Sequence, residues 1–274
     1  MVRAVNSVLK YSGGKSEFAK TLIPLMPRDV TTFADVYFGG GSVLLQREPQ
    51  GESEVANDIW GVLVGFWRVL QDREQSERFR ELCAVTPFSE ALWNESWERL
   101  EANDPVVRAH AFFILNRQCR QGAMKSFATL SRNRVRRQMN EQVSSWLTAV
   151  ERLPEVVERL QRVVILQRDA LDVIQQLDGV QTFFYCDPPY VESTRVARTV
   201  YEHDMSDHDH HDLVDQLLGC SARVMLSGYA NPIYERLETR GWETRDFVTT
   251  KSSSGQKSKP KAVERIWVNY ELVD

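Results

Sequence analysis

The period of the apolar positions changes twice along the chain. Short β-branched and aromatic runs occupy both ends, and apolar residues at spacings of three and four fill the middle. The run TTFADVYF (31–38) is followed at once by Gly39, Gly40 and Gly41 and then by SVLLQRE, which predicts a strand, a tight turn and a helix. A second strand, ESEVAND (52–58), ends in Asp58 and leads into the helical pattern IWGVLVGFWRVL. From about Gln71 to Gln161 the pattern is overwhelmingly helical, as in SEALWNESWERLE, PVVRAHAFFILNRQ and NEQVSSWLTAVERL. Strands return as VVILQRD, TFFYCDPPY, ARVMLSGY and ERIWVNYEL, with helical HDHHDLVDQLL and PIYERLETRG between them. The segment KSSSGQKSKPK (251–261) reads as an exposed loop. Alternating strands and helices predict an α/β fold, a largely parallel sheet with ligand sites at the carboxyl ends of its strands. The predicted division is a core of residues 1–68 and 163–274 with a helical insert, 69–162.

Composition narrows this picture without changing it. The chain has 274 residues and 42% hydrophobic positions, enough to bury a full core. No apolar run reaches membrane-spanning length and the start MVRAVNSVLKYSGGK has no secretory pattern, so a cytoplasmic protein with no membrane contact is expected. Cys83, Cys119, Cys186 and Cys220 form no C-x-x-C pair and read as free buried thiols, with no metal expected. His203, His208, His210 and His211 lie among acids in the manner of metal ligands, but Ser206 with Asp209 fits the S-x-x-D of a helix-start capping box. Formal net charge is −4. Its distribution is uneven. Arg117, Arg120, Lys125, Arg132, Arg134, Arg136 and Arg137 fall in one stretch without an acid, and the 251–261 loop carries Lys257 and Lys259. Each stretch alone is compatible with a solvated face. Together, flanking a catalytic site, they would contact a polyanion.

The candidate chemistry lies at the strand ends. The FGGGS turn lets backbone approach a nucleotide-like ligand beside a helix N-terminus, although a purely structural turn has the same sequence. Asp58 stands where an acid accepts from ribose hydroxyls, and equally where one would favour the following helix. YSGGKS ends like a phosphate loop, but Leu9 occupies the position of the first Walker A glycine, so ATP hydrolysis is a poor reading. FFYCDPPY is the sharpest signal. An apolar strand delivers Asp187, and Pro188 and Pro189 hold the following backbone rigid and without donors. An exocyclic amino group offers two N–H donors, which the Asp187 carboxylate and the Pro188 carbonyl can accept while Tyr190 stacks on the ring.

In that order, LKYSGGKS, ADVYFGGGSVLL, ANDIW, FILNRQCRQG and FYCDPPY resemble the Dam-type (D12 class, group alpha) DNA adenine N6-methyltransferases over nearly the whole chain, including YEHDMSDHDHHDLVDQL and VERIWVNY. The resemblance implies a Rossmann-like methyltransferase sheet, with the helical block as target-recognition insert. It implies S-adenosylmethionine as cofactor and double-stranded DNA as substrate. By position, Tyr11 and Lys15 match the N-terminal cofactor-binding pair, Tyr37, Gly39 and Gly41 the turn at the methionine part, and Asp58 the acid on the ribose. Asp169 matches a residue near the cofactor adenine. Asp187, Pro188, Pro189 and Tyr190 match the catalytic D-P-P-Y, with Asp187 also counted among the cofactor-binding residues. The family commonly has P-F where this chain has Val36 and Tyr37, a departure that bears on the methionine pocket. The implied reaction is base flipping followed by direct transfer. Arg117, Arg120, Arg132, Arg134, Arg136, Arg137, Lys257 and Lys259 are the expected DNA contacts, with Gln118 and Gln121 added as base readers. Methylation of RNA adenine or cytosine N4, and a silent DNA-binding regulator of the same fold, are the competing readings. Palindromic targets leave a monomer and a homodimer both open, and solitary, restriction-system and phage enzymes share these motifs.

Overall fold

Strands buried on both faces read as continuous apolar runs, and TFFYC is buried at every position. In the structure, a computed structural model that describes residues 4–10, 18–120, 122–128, 133–191, 204–250 and 261–272, this run is a central strand. The first half of the chain forms α1 (Ala19–Leu22), β1 (Thr32–Asp35), α2 (Ser42–Gln46), β2 (Ser53–Asn57), α3 (Gly61–Gln71), α4 (Arg73–Val85), α5 (Glu90–Arg99) and α6 (Pro105–Arg117). There follow β3 (Val135–Arg136), β4 (Met139–Asn140), α7 (Glu141–Leu160), β5 (Val163–Leu166), α8 (Ala170–Leu177) and β6 (Thr182–Cys186). The last are α9 (Asp207–Gly219), β7 (Arg223–Gly228), α10 (Glu235–Thr239), β8 (Glu243–Thr250) and β9 (Lys261–Val268).

Seven strands form one sheet in the order β5-β2-β1-β6-β7-β9-β8. β2, β1, β6 and β7 run parallel, whereas β9 is antiparallel to both β7 and β8. This is the expected α/β sheet of a Rossmann-like methyltransferase. One face carries Ala34, Val36, Phe184, Cys186, Val224 and Leu226 against Ile174 of α8, Leu213 and Val214 of α9 and Leu237 of α10. At the start of α9, Ser206 and Asp209 form the reciprocal capping box that the sequence pattern indicated. β8 was not among the predicted strands. Its sequence, ETRDFVTT, mixes charge with apolar residues because it lies at the sheet edge and pairs only through β9.

By packing, the chain divides into a helical unit of Met1–Lys20, Gly39–Pro49 and Trp60–Ile165 and a sheet unit of Thr21–Phe38, Gln50–Ile59 and Leu166–Asp274. The helical unit is organised around aromatic rings. Phe66 of α3 stacks on Phe113 of α6 at 5.7 Å, and Phe113 meets Trp146 of α7 at 5.2 Å. Asp104 starts α6 by accepting from the Val106 N–H, with Pro105 at the first helical position. α7 runs through Pro154, which forfeits one helical hydrogen bond without ending the helix. The short hairpin β3–β4 breaks the middle region that the sequence marked as helical. Its two turn residues, Arg137 and Gln138, have φ of 55° and 60°, the left-handed pair of a type I′ turn.

His110 of α6 is buried and makes the stability of the helical unit depend on pH. The Thr86 hydroxyl gives its proton to the Leu82 carbonyl, so His110 Nε2–H donates to Thr86 and Nδ1 accepts from Arg99. Burial, with the Arg99 charge second, lowers its pKa to about 4. The unfolded state takes up a proton near pH 6.5 that the folded state refuses until about pH 4, so stability falls across that window. The loss is on the order of 3 kcal/mol at most. Urea midpoints measured from pH 7 to 4.5 should show it in the wild type and less of it in His110→Gln. Equal slopes in the two proteins would count against it.

Candidate active site

From β1 the chain moves outward to β2 on one side and later returns through β6 on the other, so strand order reverses between β1 and β6. In parallel α/β sheets, ligands bind in the crevice at the carboxyl ends of strands at such a reversal. Three carboxylates of the sheet unit follow directly from this placement: Asp35 ends β1, Asp58 follows β2, and Asp187 follows β6. Asp35, which sequence reasoning passed over, is only 2% exposed. Burial above all, with the neighbouring Cys220 and the Asp35 and Asp187 carboxylates adding to it, holds the Cys186 thiol well above its ordinary range.

Asn57 fixes the edges of this surface. Its side-chain amide donates to the carbonyls of Val36 and Arg168, both at 3.1 Å, while its oxygen accepts from the Arg168 N–H. Its own carbonyl accepts from the Phe38 N–H at 2.8 Å. Three strand ends are therefore tied at one buried side chain. Asp58 is half-buried, and its backbone N–H donates to the Leu166 carbonyl. Asp169 is exposed and caps α8 by accepting from the Leu171 N–H at 2.8 Å. Tyr37 is half-buried against the core cluster, and burial raises its phenol well above the usual range.

The D-P-P-Y segment is held by two neighbouring strands. Asp187 Oδ1 accepts from the Ser227 hydroxyl at 2.8 Å. Pro188 is buried and Pro189 half-buried. Tyr190 donates to Glu264 of β9 at 2.9 Å, and its ring meets that of Tyr229 edge to face with centroids 4.6 Å apart. Ser227 and Tyr229 fall outside the quoted motifs, and Glu264, within VERIWVNY, carries no sign there that it meets Tyr190. Parallel neighbours in a sheet are set by topology, and ARVMLSGY alone does not say which strand it will border.

In the helical unit, Gly39 and Gly41 adopt φ of 49° and 70°, conformations that admit a backbone turn with no Cβ in the way. The Gly39 carbonyl accepts from the Trp67 indole at 3.1 Å, and Arg159 donates to the Leu44 and Arg47 carbonyls, pinning the end of α2. The predicted DNA contacts divide by exposure. Arg120 and Arg136 are exposed, Arg134 pairs with Glu141, and Arg137 forms a bidentate pair with Glu151. Arg117 turns inward to the carbonyl and hydroxyl of Ser145, and burial lowers its pKa to about 10. Gln118 is also spent internally, accepting from the Ser89 N–H and donating to the Pro87 carbonyl. Tyr11, Lys15, Gln121, Arg132, Lys257 and Lys259 lie outside the described residues.

A methyltransferase-type sheet with a carboxylate and two prolines at the reversal point defines the class. Residues 11–247 match the model of the D12 class N6 adenine-specific DNA methyltransferases, and the chain belongs to that family. It is 25% identical over 276 residues to the type II methyltransferase M1.LlaDCHI of Lactococcus lactis subsp. cremoris, covering 95% of this chain and 94% of that protein. It is 27% identical over 120 residues to the type II methyltransferase M.CviBI of Paramecium bursaria Chlorella virus NC1A, covering 43% and 45% of the two chains. The protein is thus a site-specific adenine methyltransferase acting on N6 in DNA. The family implies S-adenosylmethionine as methyl donor in general. Among the described residues no helix is long and apolar enough to cross a membrane.

Proposed function

We propose that the enzyme methylates an adenine turned out of double-stranded DNA, with the D-P-P-Y segment as its amino-group clamp. The observation that carries this reading is the placement of the Asp187 carboxylate at the carboxyl end of β6, beside the strand reversal and held by Ser227. Asp187 and the Pro188 carbonyl accept the two N–H donors of the adenine amino group, and Tyr190, braced by Glu264 and Tyr229, supplies the ring surface. These acceptor bonds strengthen as positive charge develops on N6, so they favour the transition state over the bound base. The target nitrogen is inside the duplex until the base is extruded, which makes flipping a requirement of the geometry.

The residues assigned to the cofactor in this reading are Tyr11, Lys15, Tyr37, Gly39, Gly41, Asp58 and Asp169. The half-buried Asp58 carboxylate is an acceptor-only group, which matches the hydroxyl donors of a ribose. When bound, S-adenosylmethionine supplies an electrophilic sulfonium methyl, and positioning in line with its carbon–sulfur bond is the protein's contribution. The helical insert 69–162 is the target-recognition part in this reading, and the naming of both relatives as type II enzymes supports a partner role in a restriction system.

Duplexes carrying 2-aminopurine at the target adenine test the flipping. Fluorescence should rise on binding, and an unchanged signal on a 2-aminopurine duplex bound as tightly as the adenine duplex that the enzyme methylates would overturn it. The target is found by incubating unmethylated DNA with methyl-labelled cofactor and analysing the nucleosides. Label on a ring carbon such as cytosine C5, which has no N–H donors to clamp, would overturn the clamp as drawn. Arg136 on the exposed β3–β4 hairpin is a phosphate contact in this reading. Arg136→Gln should reduce the slope of log affinity against log salt by about 0.9. Arg117→Gln, whose guanidinium faces Ser145, should leave the slope unchanged. The reverse result would refute the assignment.

A further inference from the structure

Ser227 is fully buried at the end of β7 and its hydroxyl reaches the Asp187 carboxylate at 2.8 Å. The register explains why. β6 and β7 are parallel, with Tyr185 opposite Met225 and Cys186 opposite Leu226, so one further step along both strands brings Asp187 beside Ser227. Side chains alternate across the sheet, which puts Tyr185, Asp187 and Ser227 on the face opposite the Phe184–Cys186–Leu226 cluster. Tyr185, 2% exposed, has its hydroxyl 3.2 Å from the Ser227 oxygen.

Proton counting gives this chain a direction. A serine hydroxyl carries one proton, and an ionised carboxylate only accepts. Ser227 donates its proton to Asp187, so it can only accept from Tyr185, which then donates. The relay runs from Tyr185 to Ser227 to Asp187. A carboxylate on a single-bonded side chain would otherwise rotate about its terminal torsion, which is broad rather than sharply staggered. A buried donor, itself polarised by a second one, removes that freedom.

We propose that Ser227 is a positioning residue of the methyl transfer, orienting the Asp187 carboxylate for the adenine amino group, with Tyr185 as its support. This rests on the reading of Asp187 as the amino-group acceptor. Ser227 does not touch the reacting atoms, and its effect passes through Asp187 alone. Its removal should therefore lower the rate of the chemical step and leave cofactor binding intact.

The test compares Ser227→Ala, Ser227→Thr and Tyr185→Phe in single-turnover methyl transfer to an unmethylated duplex, with the melting temperature and the S-adenosylmethionine Kd measured on the same preparations. Loss of a hydrogen bond to a charged group predicts a drop of about 10- to 100-fold for Ser227→Ala. Kd should be unchanged, Ser227→Thr should recover most of the rate because it keeps the hydroxyl, and Tyr185→Phe should show a smaller drop in the same step. In an Asp187→Asn background, Ser227→Ala should cost little more, since both act at one carboxylate. A Ser227→Ala rate within twofold of wild type, or a loss that cofactor affinity follows in parallel, overturns the proposal. If Asp187→Asn is slow while Ser227→Ala is not, only the Ser227 assignment fails. If Asp187→Asn itself turns over normally, the reading of the D-P-P-Y fails and this inference with it. Tyr185→Phe keeps the question answerable should Ser227→Ala not fold.

Discussion

Asp187→Asn is expected to slow methyl transfer by about a thousandfold or more, equivalent to about 4 kcal/mol of transition-state stabilisation. The substitution hardly changes shape, so the effect is chemical. The charged acceptor is lost, and whichever way the new amide turns it offers the base either a weaker oxygen or a competing N–H donor. The Asp187 carboxylate is already bonded to Ser227 in the folded protein, and Asn can keep that bond through its oxygen. Folding and cofactor affinity should therefore stay close to wild type while the chemical step fails. Single-turnover rates beside equilibrium cofactor binding separate the two quantities. A rate within about tenfold of wild type would remove Asp187 from the centre of the mechanism.

The second large effect is expected at a glycine of the helical unit. Gly122 has φ of +76°, and a Cβ built on it would lie 2.0 Å from the backbone oxygen of Lys10. Lys10 has no room to yield. Its N–H and carbonyl are both bonded to the Asn116 side chain, and its ammonium is bonded to the carbonyls of Arg117 and Cys119. Burial, with the Arg117 charge second, lowers the Lys10 pKa to about 8. Gly122→Ala should cost roughly 3 kcal/mol from left-handed strain and overpacking together. For a chain of this size that is a fall in melting temperature of about 6 to 12 °C. Gly65→Ala is the control, because that glycine lies inside α3 with nothing within 4 Å of the added Cβ. It should not lower the melting temperature, since alanine is the better helix former. Equal losses in the two variants would show that packing against Lys10 is not the cause.

The carboxyl end of the central strand was legible because a strand that is buried throughout writes a continuous apolar run, and the residue after it must be polar or turn. TFFYC followed by Asp187 announces itself in this way, whereas SEVAN before Asp58 buries the polar Glu54 and Asn57 and shows only Val55 and Ala56 as an apolar centre. The capping box at Ser206 was legible for the same local reason, as donor and acceptor lie three residues apart. The inward turn of Arg117 was not legible. An arginine on a helix adjoining a basic stretch looks the same in sequence whether it faces solvent or Ser145, and only the packing of α6 against its neighbours separates the two. β8 escaped notice because an edge strand exposes both faces in part and so loses the alternation that marks a half-buried one.

What the sequence determined by itself is everything carried within a few residues or repeated along the chain: the strand runs, the helical periodicity, the glycine turn, the prolines after Asp187 and the order of the motifs. These depend on local dihedral preference and on which side chains water rejects, and both are fixed by residue type. What only the tertiary structure decided is which strand ends become neighbours. Asn57 meets Val36 and Arg168, Asp187 meets Ser227, and Tyr190 meets Glu264, pairs separated by 21, 111, 40 and 74 positions. No local rule fixes such pairs, because they follow from the order and register of the strands, which the chain settles only when the whole sheet closes its hydrogen bonds and buries both faces.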